Sequence, residues 1–207
     1  MLNIVIGPMC AGKTSNMLET YNNFQGKKVI IDYEIGDILK CYEGMVVTHD
    51  GITAPCYKAK MLNHTIDIYN QSGNFQISNE YFREYKRTDA PEMYKIGDAV
   101  NLSEAIFINE AQFFPDLREF VMANLNKHIY LYGLDGDFEQ NKMGQLLDLI
   151  PHCDSVIKLK SKCVCGNPAI FTFRDSPEKE QYMPNAKYIP LCRACYSHKK
   201  NKNNFYG

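Results

Sequence analysis

"NIVIGPMCAGKTS", Asn3 to Ser15, joins an apolar run to a loop of small residues and ends in Lys-Thr-Ser. Within it, Gly7-Pro8-Met9-Cys10-Ala11-Gly12-Lys13-Thr14 fits the pattern Gly, any four residues, Gly-Lys-Ser/Thr. A loop of this kind turns its backbone N–H groups inward around phosphates. Gly12 is expected to let the backbone approach closely, Lys13 to place a point charge on the terminal phosphates, and the Thr14 hydroxyl to ligate magnesium. The flanks support the reading. "LNIVI" has the composition of a short buried strand, and "KTSNMLETYNNF" that of a helix stopped by Gly26. The positive end of that helix, with Ser15 in its first turn, then faces the anion. The loop implies a nucleoside triphosphate and says nothing of an acceptor.

Working outward, "KKVIIDY", "AIFINE" and "HIYLYGL" read as further buried strands. "FFPDLREFVMANL" reads as a helix with Pro115 near its start and acids in its first turn. Near-continuous apolar strands alternating with helices predict an α/β chain built on a parallel sheet covered on both faces. Ligands of such sheets bind beyond the carboxyl ends of the strands. Gly7, Asn109, Glu110 and Asp135 all fall there. The polar stretch from Tyr57 to Ser103 is read as an extension, with room for a helix or two and no assigned role.

The chain has 207 residues, 45% of them hydrophobic, and a net charge of −1. This is enough for one main domain and a small appendage. A near-neutral balance argues against nucleic acid as the main partner. No apolar run reaches the length of a membrane span, and the absence of a leader makes a reducing cytoplasm the expected setting. Eight cysteines in that setting point to metal or to free thiols.

Four of the eight are paired. Cys192 and Cys195 have the spacing of a zinc knuckle, and Cys163 and Cys165 are one residue tighter. The two pairs either hold one structural zinc or stand as small apolar residues; the local pairing and Gly166 favour zinc. The segment between them, with "YMPNAKYIP" in it, then becomes a metal-braced loop able to close over a small ligand and exclude water. Cys10, Cys41, Cys56 and Cys153 read as buried or half-buried thiols. The tail "SHKKNKNNFYG" reads as a solvated, frayed end.

Phosphoryl transfer needs an oriented nucleophile. Glu110, at the end of "AIFINE", either takes the proton of a substrate hydroxyl or simply faces water. Asn109 stands where an Asp would help to hold magnesium, and Asp32, Glu34, Asp37 and Asp135 are candidate replacements.

With these residues in view, the chain resembles the zinc-containing (type II) thymidine kinase family. "GPMCAGKTS", "INEAQFFPD", "GLDGDFEQNKMG", "VVTHDG", "CVCGNPAIFTFR" and "YIPLCRACY" are each similar to a family segment. The resemblance implies a P-loop NTPase (RecA-like) parallel sheet flanked by helices over residues 1–158. A small zinc-binding lasso domain and polar tail would follow over 159–207. It implies transfer of the γ-phosphoryl of ATP to thymidine in nucleotide salvage, with Mg2+, a structural zinc, and a homotetramer. Residues 7–15 with Asn109 and Gln112 would bind ATP and magnesium, and Glu110 would be the base. Met9, Phe113, Leu134 and Phe138 would line the thymine pocket, with Thr172 and Tyr188 approaching from the lasso. Several positions depart from the family pattern. Asn109 replaces Asp, no Asp-x-Arg is recognisable in "YEIGDILKCY", where Asp37 or Lys40 would stand in part for it, Pro184-Asn185 replaces Gly-Gly, and residues 57–103 are longer. The alternative is a catalytically weak or inactive nucleotide-binding sensor or scaffold. A third class puts the zinc element on nucleic acid.

Overall fold

The computed structural model describes residues 1–35, 44–48, 50–62, 97–176, 178–184 and 186–204. Asp37, Lys40, Cys41, His49, Asn185 and most of the extension, residues 63–96, lie outside the described residues.

The framework is a six-stranded sheet. Its strands are β1 (Leu2–Ile6), β2 (Lys28–Tyr33), β5 (Tyr57–Ala59), β6 (Ala105–Asn109), β7 (His128–Gly133) and β8 (Ser155–Lys158). They lie in the order β5-β2-β6-β7-β1-β8, and every pairing in this sheet is parallel. The strands expected from composition are therefore all present. Smaller antiparallel ladders join β3 (Met45–Val47) to β4 (Thr53–Pro55), β9 (Ser161–Lys162) to β10 (Pro168–Ala169), and β11 (Phe171–Arg174) to β12 (Tyr188–Leu191). The fold is thus α/β with parallel and antiparallel parts.

Alternation along each strand sends side chains to two cores. Val5, Ile30, Phe107 and Tyr132 pack with Met17 and Leu18 of helix α1 (Lys13–Asn23) on one face. Ile4, Ile31, Ile106, Ile108 and Leu131 pack on the other with Leu117, Phe120 and Val121 of helix α2 (Leu117–Ala123). All five residues of β6 are buried, so the strand that delivers Asn109 and Glu110 is covered on both sides.

Helix α1 ends at Asn23 rather than running to Gly26; Phe24, extended, closes it. Pro115 precedes α2, and Asp116 occupies its cap position. The tail differs from its reading. Residues Arg193–Asn204 form one helix, α3, which grows out of the second cysteine pair. Tyr196 is buried there, with Lys199 set over the ring of Phe173 and Lys200 over that of Tyr196. Lysine stems and cation–π contacts hold a segment that by composition looks wholly solvated. No helix among the described residues is long and apolar enough to cross a membrane.

Candidate active site

The loop from Gly7 to Gly12 leaves the carboxyl end of β1 and enters α1. Its two glycines serve different needs. A Cβ on Gly7 would lie 2.6 Å from the Leu159 carbonyl oxygen, so this is the position of close backbone approach. A Cβ on Gly12 would meet nothing within 4 Å; its requirement is the left-handed φ of +78°. Cys10 also has a left-handed φ, +58°, and its thiol is exposed rather than buried.

Lys13 is folded back into the loop. Its Nζ donates to the carbonyl of Pro8 at 2.8 Å and of Gly7 at 3.2 Å. Burial pushes the ammonium pKa down, while Glu110 and Asp135 act to hold the charge. Thr14 is half-buried and Ser15 exposed in the first turn of α1. The loop is also tied outward: the Met9 N–H donates to Thr172 Oγ1 at 3.1 Å, and Ser161 Oγ donates to the Cys10 carbonyl at 2.9 Å.

Two strands away, Glu110 takes a left-handed conformation, φ 51° and ψ 39°, to leave β6. A 3-10 turn, Ala111–Phe113, follows. Gln112, wholly buried, donates its amide N–H to Glu110 Oε2 at 2.7 Å and accepts the Leu134 N–H at 3.0 Å. Both ends of the Gln112 amide are engaged by protein, so it orients Glu110 and ties the end of β6 to the end of β7. A Cβ on Gly133 or Gly144 would strike Gln112, so these glycines make room for it. Burial raises the Glu110 carboxyl pKa, and Lys13 and the Gln112 hydrogen bond partly offset the rise.

Asn109 is buried and donates from Nδ2 to Asp32 Oδ1 at 2.9 Å. The other Asp32 oxygen takes Lys58 Nζ at 2.5 Å. Asp32 is the register partner of both Asn109 and Lys58, so the three form a row across the ends of β6, β2 and β5. Asp135 is paired with Lys158 at 2.5 Å.

The four cysteine sulfurs lie within 4.8 Å of one another, and Cys165 and Cys192 are 3.6 Å apart. Zinc–sulfur bonds of about 2.3 Å at tetrahedral angles require sulfurs about 3.8 Å apart, so the cluster fits a structural zinc. Burial opposes ionisation of Cys163, but backbone N–H groups of Cys165 and Cys192 and the neighbouring thiols outweigh it and bring the thiol down to about 6. The tight first pair does not spoil the cluster, because Gly166, at φ +86°, turns the chain directly after it.

From this cluster β11 and β12 run beside the loop, where Thr172 accepts the Met9 N–H, and residues 178–184 lie between the two strands. Thr172 and Tyr188 sit on these two strands, paired in the ladder through Pro190 and Arg174 respectively. Phe113 meets this segment at Tyr182, ring centroids 4.7 Å apart. Phe138 is covered by the Arg174 guanidinium at 3.8 Å. Sequence reasoning missed Arg174, Tyr182 and Gln181. The first hydrogen-bonds backbone carbonyls, which no residue type announces, and Tyr182 is one aromatic among several in the loop.

The arrangement thus brings a glycine loop with a buried lysine, a carboxylate on a covered strand end and a segment anchored on the four-cysteine cluster to one end of the sheet. A family profile described as "Thymidine kinase" matches residues 1–80 and 57–196. The chain is 32% identical over 203 residues to "Thymidine kinase a" of Arabidopsis thaliana, covering 94% of this chain and 74% of that protein. It is 31% identical to "Thymidine kinase, cytosolic" of Gallus gallus, covering 96% and 78%. It is 30% identical to "Thymidine kinase" of rabbit fibroma virus (strain Kasza), covering 94% and 95%. Family profile, relatives and a matching cluster of four cysteines agree: the chain belongs to the thymidine kinase family.

Proposed function

We propose that this protein transfers the γ-phosphoryl group of ATP to the 5′-hydroxyl of thymidine, in the cytoplasm, as a step of nucleotide salvage. The observation that carries the reading is that the loop holding Lys13 and the strand end bearing Glu110 open at the same end of one sheet, with only β7 between β1 and β6, and that the two groups bias each other's ionisation. A triphosphate in the 7–15 loop would place its terminal group beside Lys13, and Glu110 would take the proton of the attacking alcohol.

Magnesium fits the Thr14 hydroxyl at the start of α1. Asn109 brings no charge to it and gives its amide to Asp32. Asp135, close enough to bias Lys13, is the carboxylate best placed to take part from the strand ends. Met9, Phe113, Leu134 and Phe138 would surround the base, with Thr172 and Tyr188 on the lasso side. Residues 1–158 would act as a P-loop, RecA-like nucleotide-binding unit. Residues 159–207 would form the zinc-braced lasso, whose own core contains Cys163, Ala169, Phe173, Leu191, Cys192 and Tyr196. A homotetramer without nucleic-acid or membrane partners completes the proposal.

The test is product formation. Purified protein with ATP, magnesium and each of the four natural deoxynucleosides should give thymidine monophosphate as the main product. Nucleotide binding without any product would replace this reading with that of a nucleotide sensor.

A further inference from the structure

We propose that Lys158, held by Asp135, is a second phosphate-binding lysine that exchanges this carboxylate for the triphosphate when ATP enters the 7–15 loop. The proposal rests on the kinase reading above and adds a residue from outside the loop motif.

Strand register puts Lys158 at the mouth of the glycine loop. Lys158 and Gly133 are the partners of Ile6 on its two sides, so the last positions of β8, β1 and β7 form one row. Asp135 lies two residues beyond Gly133, and Lys158 Nζ meets its Oδ2 at 2.5 Å. Since β1 stands between β8 and β7, this ion pair spans the exit of β1, where Gly7 opens the loop. The chain after Lys158 then follows the loop closely. The Leu159 N–H donates to the Ile6 carbonyl at 2.8 Å, and the Leu159 carbonyl is the group that a Cβ on Gly7 would strike. Two residues on, Ser161 Oγ donates to the Cys10 carbonyl.

The two partners are held unequally. The Asp135 side chain is 14% exposed and follows Leu134, whose N–H is fixed on the Gln112 amide oxygen. Lys158 belongs to the edge strand, and its side chain is 43% exposed. Its backbone is anchored through Leu159, while its flexible four-carbon stem is free to turn. An ion pair with so exposed a partner is weak and readily exchanged. Lys13 also rests on protein acceptors, the carbonyls of Gly7 and Pro8.

Charge balance gives Lys158 its task. Glu110 and Asp135 both act on Lys13. One ammonium facing two carboxylates would leave the loop mouth net negative, which opposes a polyanion. Lys158 restores the balance there. Moving from a single carboxylate to a triphosphate takes its charge to where the opposite charge is greater, and where more develops during transfer.

The test compares full-length, zinc-loaded wild type with Lys158→Met, Lys158→Arg and Asp135→Asn. ATP affinity is read by calorimetry without magnesium, and the KM for ATP in steady state with it. Lys158→Met should weaken metal-free ATP binding about tenfold, the effect of losing one hydrogen bond between charged groups. Lys158→Arg should stay within about threefold of wild type. Asp135→Asn should tighten metal-free binding, because it releases Lys158 and removes a repelling charge. In about 1 M salt, where the Debye length is about 3 Å, the deficit of Lys158→Met should still exceed about threefold, since a direct contact survives screening. Lys158→Gln provides the measurement should the methionine variant not fold. If wild type binds ATP and removal of the Lys158 charge changes affinity by less than about twofold, the inference is overturned. It is overturned equally if Lys158→Met and Asp135→Asn, which break the same ion pair, weaken binding alike, or if the deficit vanishes in high salt. If wild type binds no ATP, the kinase reading itself falls, which the wild-type arm reveals separately.

Discussion

Restoring an acid at position 109 should harm this protein, and pH should control how much. In Asn109→Asp the donor 2.9 Å from Asp32 Oδ1 becomes a second carboxylate oxygen. Two like charges about 4 Å apart at an effective dielectric constant near 20 repel by about 4 kcal/mol. Lys58, already paired with Asp32, offsets part of this. The lost hydrogen bond to a charged acceptor adds about 1.5–3 kcal/mol. The cheaper response is for one carboxyl to keep its proton and rebuild an O–H···O bond, which raises its folded-state pKa above the unfolded value. The folded protein then binds more protons than the unfolded one between those two values, so stability falls as pH rises through that window. Urea denaturation should show the variant close to wild type near pH 5 and weaker by about 2–4 kcal/mol near pH 8. Exchanging both residues, Asp32→Asn with Asn109→Asp, should recover part of the loss, since the N–H···O bond returns while Lys58 faces an amide. A single variant as stable as wild type at pH 8, or more stable there than at pH 5, would refute this account of the row.

Glu110→Gln should lower kcat by on the order of 10²-fold or more with little change in ATP binding. In wild type, the raised Glu110 pKa means that activity climbs with pH as the carboxyl loses its proton; a flat profile in kcat/KM would remove Glu110 from the role of base. Cys10, exposed on the phosphate loop, should react readily with a maleimide and be slowed by Mg-ATP, whereas the Cys56 thiol, pushed up to about 12 chiefly by burial, should react slowly; peptide mapping reads both. Cys192→Ser should lower bound zinc and thermal stability together, and raise the thymidine KM through a slackened lasso, as metal analysis and steady-state kinetics would show.

The glycine-bounded turn into α1 and the central strands were legible because their signals are local. A glycine-bounded loop between an apolar run and an amphipathic stretch admits few structures, and β6 reads as buried because every residue in it is. The two cysteine pairs were legible for the same reason. What was hidden depends on register and on backbone partners. Nothing in "AIFINE" and "KKVIIDY" says that Asn109 faces Asp32; that follows from how the two strands align. Nothing in "NEAQ" says that the Gln112 amide lies between the Glu110 carboxylate and the Leu134 N–H; that follows from how the ends of β6 and β7 come together. Arg174 bonds backbone carbonyls, which any sequence supplies, so no partner marks it. The tail was read as frayed because its helix draws on Phe173 and Tyr196 outside the polar run.

The bonds from Met9 to Thr172 and from Ser161 to Cys10 have a consequence for anyone who would shorten this chain. The glycine loop leans on the segment that carries the four cysteines, and a truncated fragment ending after β8 would keep the sheet while losing both struts. Its glycine loop would then have to be ordered by the incoming triphosphate alone, and donor affinity would decline although every residue of the loop motif remained in place.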